Sequence, residues 1–402
     1  MVRICILTAG RFPVPVSQGG AVESLVDLLA QNYQVGCFDF SLDIISIHSE
    51  KSEQLSHRYD KVNYIYIKKN KICEWIYNKI NFRYRKVFSK EPFFLNTYLT
   101  RAVKEIRLRN YDCILIENRP DYVIYIKENI NIPCISHIHN DFLNSNIQGA
   151  FYVAKNTDLI ITVSNYIKSR VHTLNIPNVP IRTVHNVVDL HRFCNKSFSQ
   201  AEKLNLRASL GLSSEDVVCV FVGRLDANKG VDKLIDAIKI INEKHIKLLI
   251  IGASFYEASN ETAYVNRLKE IAAPVRDNIV FTGYIANDEL YKYYYIADIS
   301  VTPSQWEEPA GLVILEAQAC GLPVIATRCG GIPEYLCEKS GILIEKNENF
   351  TLNLAKAIRL LANDKNMREE MGLSGLDSVK KFNPDCYLEQ IIKVVGNRNE
   401  HE

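Results

Sequence analysis

Two glutamates, Glu308 and Glu316, stand with seven residues between them in the stretch "WEEPAGLVILEAQACGLPVIAT", residues 306–327. Glu316 is set among Leu312, Val313, Ile314, Leu315, Ala317 and Ala319. A carboxylate in such a run is costly to bury without a partner. Pro309 suits the first helical position and predicts a helix from about Ala310, with Glu308 in the preceding loop and Glu316 about two turns in. The free N–H groups of Ala310, Gly311 and Leu312 then point toward whatever Glu308 touches. A polyhydroxylated ligand lying along this helix end would engage both acids, one on a sugar hydroxyl and the other on a ribose diol. The alternative for Glu316 is an ion pair with a nearby Arg or Lys.

Three further stretches carry chemistry. "VFVGRLDANKGVDKLIDA" places Gly223, Arg224, Lys229 and Gly230 on one loop, two cations and two glycines that suit a diphosphate. Gly230 follows Lys229 where a Walker A loop needs Ser or Thr, so that reading is excluded. Cations engaged in surface salt bridges are the alternative. "RFPVPVSQGGAVESL" brings Gly19 and Gly20 to the start of a helix, where backbone can approach an anion closely. It is not the G-x-G-x-x-G of dinucleotide folds, and a plain strand-to-helix turn is the alternative. "CISHIHNDF" ends a strand with His137, His139, Asn140 and Asp141. Alternation puts His137 and His139 on one face, at the strand end that meets ligands in open α/β sheets. They read as substrate contacts or as structural histidines. A metal is the third reading, but no further ligand pattern supports it. No two Asp are separated by a single residue, and no metal is expected.

The elements that must hold these residues are short β-branched runs alternating with amphipathic stretches. "RICILTA", "VNYIYIK", "DCILIE", "IPCISHI", "LIITVS" and "IRTVHNV" read as strands, with helical patterns such as "AVESLVDLLAQ" and "NYIKSRVHTL" between them. This alternation signals parallel βαβ units. A polar stretch, "DLHRFCNKSFSQAEKLNLRASLGLSSED", breaks the rhythm. It restarts with "VVCVFVG", "IKLLIIG", "NIVFTG", "ADISVTP" and "PVIAT", separated by helical segments, and then a short "GILIE". The reading is two doubly wound Rossmann-like α/β domains, 1–190 and 191–380. Residues 381–402 form a C-terminal helix, after Pro384, that crosses back to the first domain.

Composition agrees. At 402 residues the chain exceeds what one core usually supports. Its 47% hydrophobic and 23% charged content is that of a soluble globular protein, and a net charge of +2 gives no global field for nucleic acid. There is no apolar run long enough for a transmembrane helix. The N-terminus reads as a buried first strand, not a signal peptide. Eleven cysteines without a C-x-x-C pair fit a reducing cytoplasm. The segment 68–94, "KKNKICEWIYNKINFRYRKVFSKEPFF", is basic and aromatic. It reads as a solvated helix with a core-facing stripe, or as a surface for an acidic acceptor or for headgroups at the inner face of the membrane.

Together these stretches resemble the family 4 glycosyltransferases, retaining enzymes of the GT-B fold, in which two Rossmann-like domains face each other across a cleft. Glu308-x7-Glu316 matches the family's paired-glutamate motif, "VGRLDANKG" its phosphate loop, "GGAVE" its N-terminal glycine loop and "NVVD" the segment before the hinge. "PSQWEEPAGLVILEAQACGLPVIATRCGGIPE" is the most specific match, and "HIHND" resembles the spore coat protein SA-like branch. The resemblance spans nearly the whole chain, and would make 1–190 the acceptor-side domain and 191–380 the donor-binding domain. It implies that Arg224 and Lys229, with Gly223, bind the diphosphate of a nucleotide sugar, a UDP-sugar in preference to a GDP-sugar, with no cofactor. It implies Glu316 on the ribose and Glu308, with backbone of Ala310, Gly311 and Leu312, on the donor sugar. Gly19 and Gly20 would approach the phosphates, His139 would lie beside the transferred sugar, and backbone at Tyr284 and Ile285 would meet the base. Val187 stands where the family often has Gly, a departure that bears on the role of Asn186 near the hinge, and Ala310 stands where it often has a larger residue, which changes the expected shape of the sugar pocket. The implied reaction is retaining transfer to a glycan, lipid-linked or small-molecule acceptor, with the leaving phosphate taking the acceptor's proton. Expected settings are cell-surface polysaccharide, glycolipid or coat glycan synthesis. A GT-B sugar-nucleotide epimerase and a non-catalytic binding or coat-assembly protein are the rival readings.

Overall fold

The computed structural model of the chain describes residues 2–68, 75, 96–194, 198–253 and 263–396. Nearly all of the basic aromatic segment 68–94 lies outside the described residues. The chain divides into two units: residues up to Asn186 together with those from Pro384 onward, and the contiguous stretch Val187–Asn383. These divisions fall at 186/187 and 383/384, a few residues from the boundaries at 190 and 380 read in the sequence.

The first unit is built on seven described parallel strands: β1 (Val2–Leu7), β2 (Phe40–Ile47), β3 (Asn63–Ile67), β4 (Cys113–Glu117), β5 (Cys134–Ile138), β6 (Leu159–Thr162) and β7 (Ile181–Thr183). They lie in the order β3-β2-β1-β4-β5-β6-β7. The second unit has six: β8 (Val217–Val222), β9 (Ile246–Ile251), β10 (Ile279–Gly283), β11 (Ile299–Thr302), β12 (Val324–Thr327) and β13 (Gly341–Ile344), ordered β10-β9-β8-β11-β12-β13. Central strands such as β4 and β5 are buried at every position, as expected where helices cover both faces of a parallel sheet. In the second unit one core cluster packs Phe221, Leu234, Ile238 and Ile358, and another packs Val220, Tyr294, Ile314 and Tyr335.

In each sheet the strand order reverses once, between β1 and β4 and between β8 and β11. Ligands of open α/β sheets bind outside the carboxyl ends of the strands at such points. Gly19 and Gly20 follow β1, Glu117 ends β4, Arg224 follows β8, and Glu308 follows β11.

The structure differs from the sequence reading in two elements. β2 was not among the strands read from the sequence, because Asp43 sits in its middle. That carboxylate is buried, and it accepts hydrogen bonds from the Tyr111 hydroxyl at 2.6 Å and from Asn63 at 3.0 Å. The helix after Glu308 begins at Leu312, not at Ala310, so Pro309 precedes it rather than opening it.

Candidate active site

In the second unit the loops after β8 and β11 are joined. Gly230, with φ of +69°, lets the Lys229 loop come down on the β11 loop; a Cβ there would lie 2.0 Å from the carbonyl oxygen of Pro303. The Gln305 N–H donates to the Asn228 carbonyl at 2.7 Å. This apposition brings Lys229 Nζ to 2.6 Å from Glu308 Oε1. The Ser304 hydroxyl donates to the same oxygen at 2.5 Å, and both Ser304 and Glu308 are buried. Lys229 also lies 5.5 Å from the centre of the Trp306 ring. The backbone at Glu308 is fixed in turn, since its carbonyl accepts the Gly331 N–H at 2.7 Å. The neighbouring Glu307 accepts from Gly330 N–H at 2.6 Å and from Lys346 at 2.7 Å.

Arg224 is on the same loop but is not part of this cluster. Its side chain is 53% exposed and, among the described residues, its one ionic contact is a long one to Asp226 at 3.7 Å, so the guanidinium is available to an anion. Gly223 donates its N–H to the Ile251 carbonyl at 3.1 Å, tying the ends of β8 and β9 together.

Glu316 lies in the second turn of the helix Leu312–Ala319, as expected, but its partner is neither Arg nor Lys. The buried Tyr294 hydroxyl donates to Oε2 at 2.9 Å. Among the described residues, Oε1 has no hydrogen-bond partner. Burial pushes the Glu316 carboxyl up to about 7, against the Tyr294 hydrogen bond and the more distant charge of Arg192, which both pull it down. The helix N-terminus at Gly311 has no side-chain cap. Tyr284 and Ile285 follow β10 at the edge of the sheet, and Ile285 packs against the core cluster around Tyr294.

In the first unit, Gly19 and Gly20 both have left-handed φ, +85° and +115°, and Gly20 caps the helix Ala21–Val35. The Glu23 carboxylate folds back over Gly20 so closely that a Cβ there would meet its oxygen at 2.2 Å. Burial pushes the Glu23 carboxyl up to about 7; its own and the Phe12 backbone N–H and the charge of Arg11 pull it down, and Glu117 adds to the rise.

His137 and His139 converge on a residue the sequence reading did not single out. Glu117, the last residue of β4, pairs in register with His137 of β5. Its Oε1 lies 3.2 Å from His137 Nδ1, and its Oε2 lies 2.9 Å from His139 Nε2. All three side chains are buried, and the two imidazole centres are 4.2 Å apart. Burial raises the Glu117 carboxyl, but the two histidines outweigh it and hold it at about 2. Burial and the field of His137 push His139 down to about 4, against the pull of Glu117. Among the described residues these three are the group of donor side chains close enough to hold a metal ion, with ligand atoms within 4.8 Å of one another. The rule that picked out His139, a polar residue at the carboxyl end of a strand, applies equally to Glu117. Ser304 and Tyr294 carried no comparable signal, since a hydroxyl becomes informative only when its partner is known.

Comparisons with known proteins give the family and the fold. Residues 57–192 match the model described as Glycosyltransferase Family 4, and residues 202–375 match that described as Glycosyl transferases group 1. The chain belongs to the family 4 glycosyltransferases. It is an enzyme with a nucleotide-sugar donor, which sets aside the epimerase and non-catalytic readings. It is 27% identical to the putative glycosyltransferase YtcC of Bacillus subtilis, over 92% of this chain and 85% of that one. It is 26% identical to spore coat protein SA of the same organism, over 92% of each. Its fold matches that of Anabaena HepE, solved in complex with UDP-glucose, with a TM-score of 0.74 and 18% identity over 99% of this chain and all of that one. The fold is GT-B. Among the described residues no helix is long and apolar enough to cross a membrane.

Proposed function

We propose that the protein transfers a sugar from a UDP-sugar to an acceptor hydroxyl with retention at the anomeric carbon. The observation that carries this reading is the Lys229–Glu308 contact of 2.6 Å at the switch point of the second sheet, in the unit that holds Glu316 with one oxygen open. In this reading Glu308, with the N–H groups of Ala310, Gly311 and Leu312, orients hydroxyls of the donor sugar. Glu316 receives the ribose diol on Oε1, while Tyr294 holds Oε2. Lys229 and Arg224, with the Gly223 backbone, hold the diphosphate, and backbone at Tyr284 and Ile285 meets the base. Gly19 and Gly20 admit the phosphates closely, and His139 contacts the transferred sugar. The UDP preference is supported by the HepE structures, which hold UDP and UDP-glucose.

The bond from the anomeric carbon to the leaving phosphate oxygen breaks as the acceptor oxygen attacks from the same face. The acceptor's proton passes to that phosphate oxygen. The protein's part is then electrostatic, with the two cations stabilising charge that grows on the diphosphate. Ser304 and Trp306 hold Lys229 and Glu308 in place before the donor arrives, so little reorganisation is needed at the moment of reaction.

The acceptor is a glycan, a lipid-linked saccharide or a small molecule. The proposed settings are cell-surface polysaccharide, glycolipid or coat glycan synthesis, at the cytoplasmic side. The test is a panel of UDP- and GDP-sugars scored for nucleoside diphosphate release, with the anomeric configuration of any product read by NMR. Release from one UDP-sugar with a retained product is expected. An inverted product, or release confined to GDP-sugars, overturns the corresponding half of the proposal.

A further inference from the structure

The Glu117–His137–His139 group has a feature that neither the fold nor the family reading uses. Each imidazole turns one nitrogen to the carboxylate, and the other nitrogen of each, His137 Nε2 and His139 Nδ1, is buried without a hydrogen-bond partner among the described residues. We propose that Glu117 is a positioning residue that fixes the tautomers of both histidines, so that His139 presents a bare Nδ1 as a hydrogen-bond acceptor to a hydroxyl of the transferred sugar. The inference rests on the proposed place of His139 beside that sugar.

An ionised carboxylate only accepts hydrogen bonds, so both nitrogens facing Glu117 must carry protons. A neutral imidazole has a single N–H. Once His139 spends it on Glu117 through Nε2, Nδ1 is left as a lone pair. Two imidazolium rings 4.2 Å apart would repel, so both cannot be charged, and His139 is the one whose surroundings disfavour charge. The backbone locks the arrangement. Asn118, with φ of +55°, donates its N–H to the His137 carbonyl at 2.8 Å and accepts the His139 N–H on Oδ1 at 3.2 Å. The ends of β4 and β5 are thereby clamped on both sides of the carboxylate.

The same three side chains could hold a transition metal, but the outer nitrogens argue otherwise. A histidine that ligates a metal donates its other N–H to an acceptor in almost every case. Metal on the inner nitrogens would place protons on His137 Nε2 and His139 Nδ1, neither of which has an acceptor. A buried unmatched acceptor is the milder defect of the two, and a sugar hydroxyl removes it for His139.

The experiment is long-range proton–nitrogen NMR correlation of the full chain labelled in histidine, on the native protein and on Glu117→Gln. The native spectrum is expected to show His139 neutral and protonated on Nε2. Gln offers one acceptor oxygen and an N–H donor group where Glu offers two acceptors, so one of the two rings should switch tautomer. Where His139 is the ring that switches, the kcat for donor turnover should fall by about tenfold or more with a smaller change in KM; the ~10⁴-fold loss of a proton-transferring histidine in the wrong tautomer is the upper bound. A native His139 protonated on Nδ1, or an imidazolium at neutral pH, overturns the inference even if Glu117→Gln fails to fold. A zinc titration that shifts both rings stoichiometrically overturns it in favour of a metal centre. A His139 switched to the Nδ1–H tautomer with undiminished turnover removes His139 from the sugar and overturns the functional half of the inference together with that part of the proposed site; where His137 is the ring that switches, turnover should hold, and a loss of about tenfold overturns the same half.

Discussion

Replacing Glu316 with Gln is expected to move stability and ligand affinity in opposite directions. In the ligand-free protein the carboxyl is pushed up from 4.5 to about 7. A folded value above the unfolded one means the native state binds the proton more tightly. The associated stability is therefore fully present below 4.5 and is lost as the pH rises through about 7. The full shift corresponds to an upper limit of about 3 kcal/mol. Glu316 is not fully shielded from solvent, and screening reduces this to roughly 1–2 kcal/mol. Gln keeps an acceptor for Tyr294 and carries no charge, so Glu316→Gln should raise the stability of the ligand-free protein by that amount at about pH 8 and leave it nearly unchanged at about pH 4. Nucleotide binding should weaken instead, because a charge-assisted hydrogen bond to the ribose is lost, about 1.5–3 kcal/mol, or roughly tenfold to 150-fold in Kd. Denaturant midpoints at the two pH values and calorimetric titration with UDP measure both effects. A folded variant with unchanged UDP affinity would refute the ribose assignment. One with no pH-dependent gain would refute the claim that this carboxylate is held at a cost.

Lys229→Ala and Arg224→Ala should each lower turnover by at least one to two orders of magnitude, as with lost oxyanion donors, in steady-state assays of nucleoside diphosphate release; near-native rates in both would mean the diphosphate binds elsewhere. Lys229→Ala should be the more disruptive of the two in the ligand-free protein, since Glu308 loses its cation while Arg224 has only a long contact to Asp226. Ser304→Ala removes a hydrogen bond to a carboxylate, about 1.5–3 kcal/mol; the loss should appear in kcat/KM for the donor, and an unchanged value would show that Lys229 alone fixes Glu308. Excess EDTA should leave most donor turnover intact, because two cations stand at the proposed diphosphate site; complete loss with recovery on added magnesium or manganese would overturn the two-cation account.

Much of the second unit was legible because its strands are short, mostly apolar and β-branched runs. "VVCVFV", "IKLLII" and "ISVT" can be little else than buried parallel strands, and the loops that follow them had to hold the polar residues. β2 was hidden because Asp43 is a poor strand residue until Tyr111 and Asn63 are seen to satisfy it, and both are distant in sequence. The helix at Leu312 started late because Pro309 permits a helix but does not compel one. Arg224, Lys229, Glu308 and Glu316 could be named from type and spacing. Their partners Ser304 and Tyr294, and the carboxylate between the two histidines, depend on register and on apposed loops, which a linear pattern does not contain.

The division of the chain also bears on how it is made. The second unit is one contiguous stretch, Val187–Asn383, whereas the first is completed only by residues from Pro384 onward. There the helix Tyr387–Gly396 packs on the helix Ala21–Val35 and buries Tyr387, Leu388, Ile391 and Val395. On the ribosome, domains tend to fold as units in order of emergence, and here the first unit to emerge is the last to be completed. Its sheet lies wholly before residue 187, but an apolar strip of its first helix stays uncovered until the chain beyond Pro384 has emerged. A chain truncated near residue 383 should consequently hold a folded second unit and a first one more sensitive to protease than in the full chain.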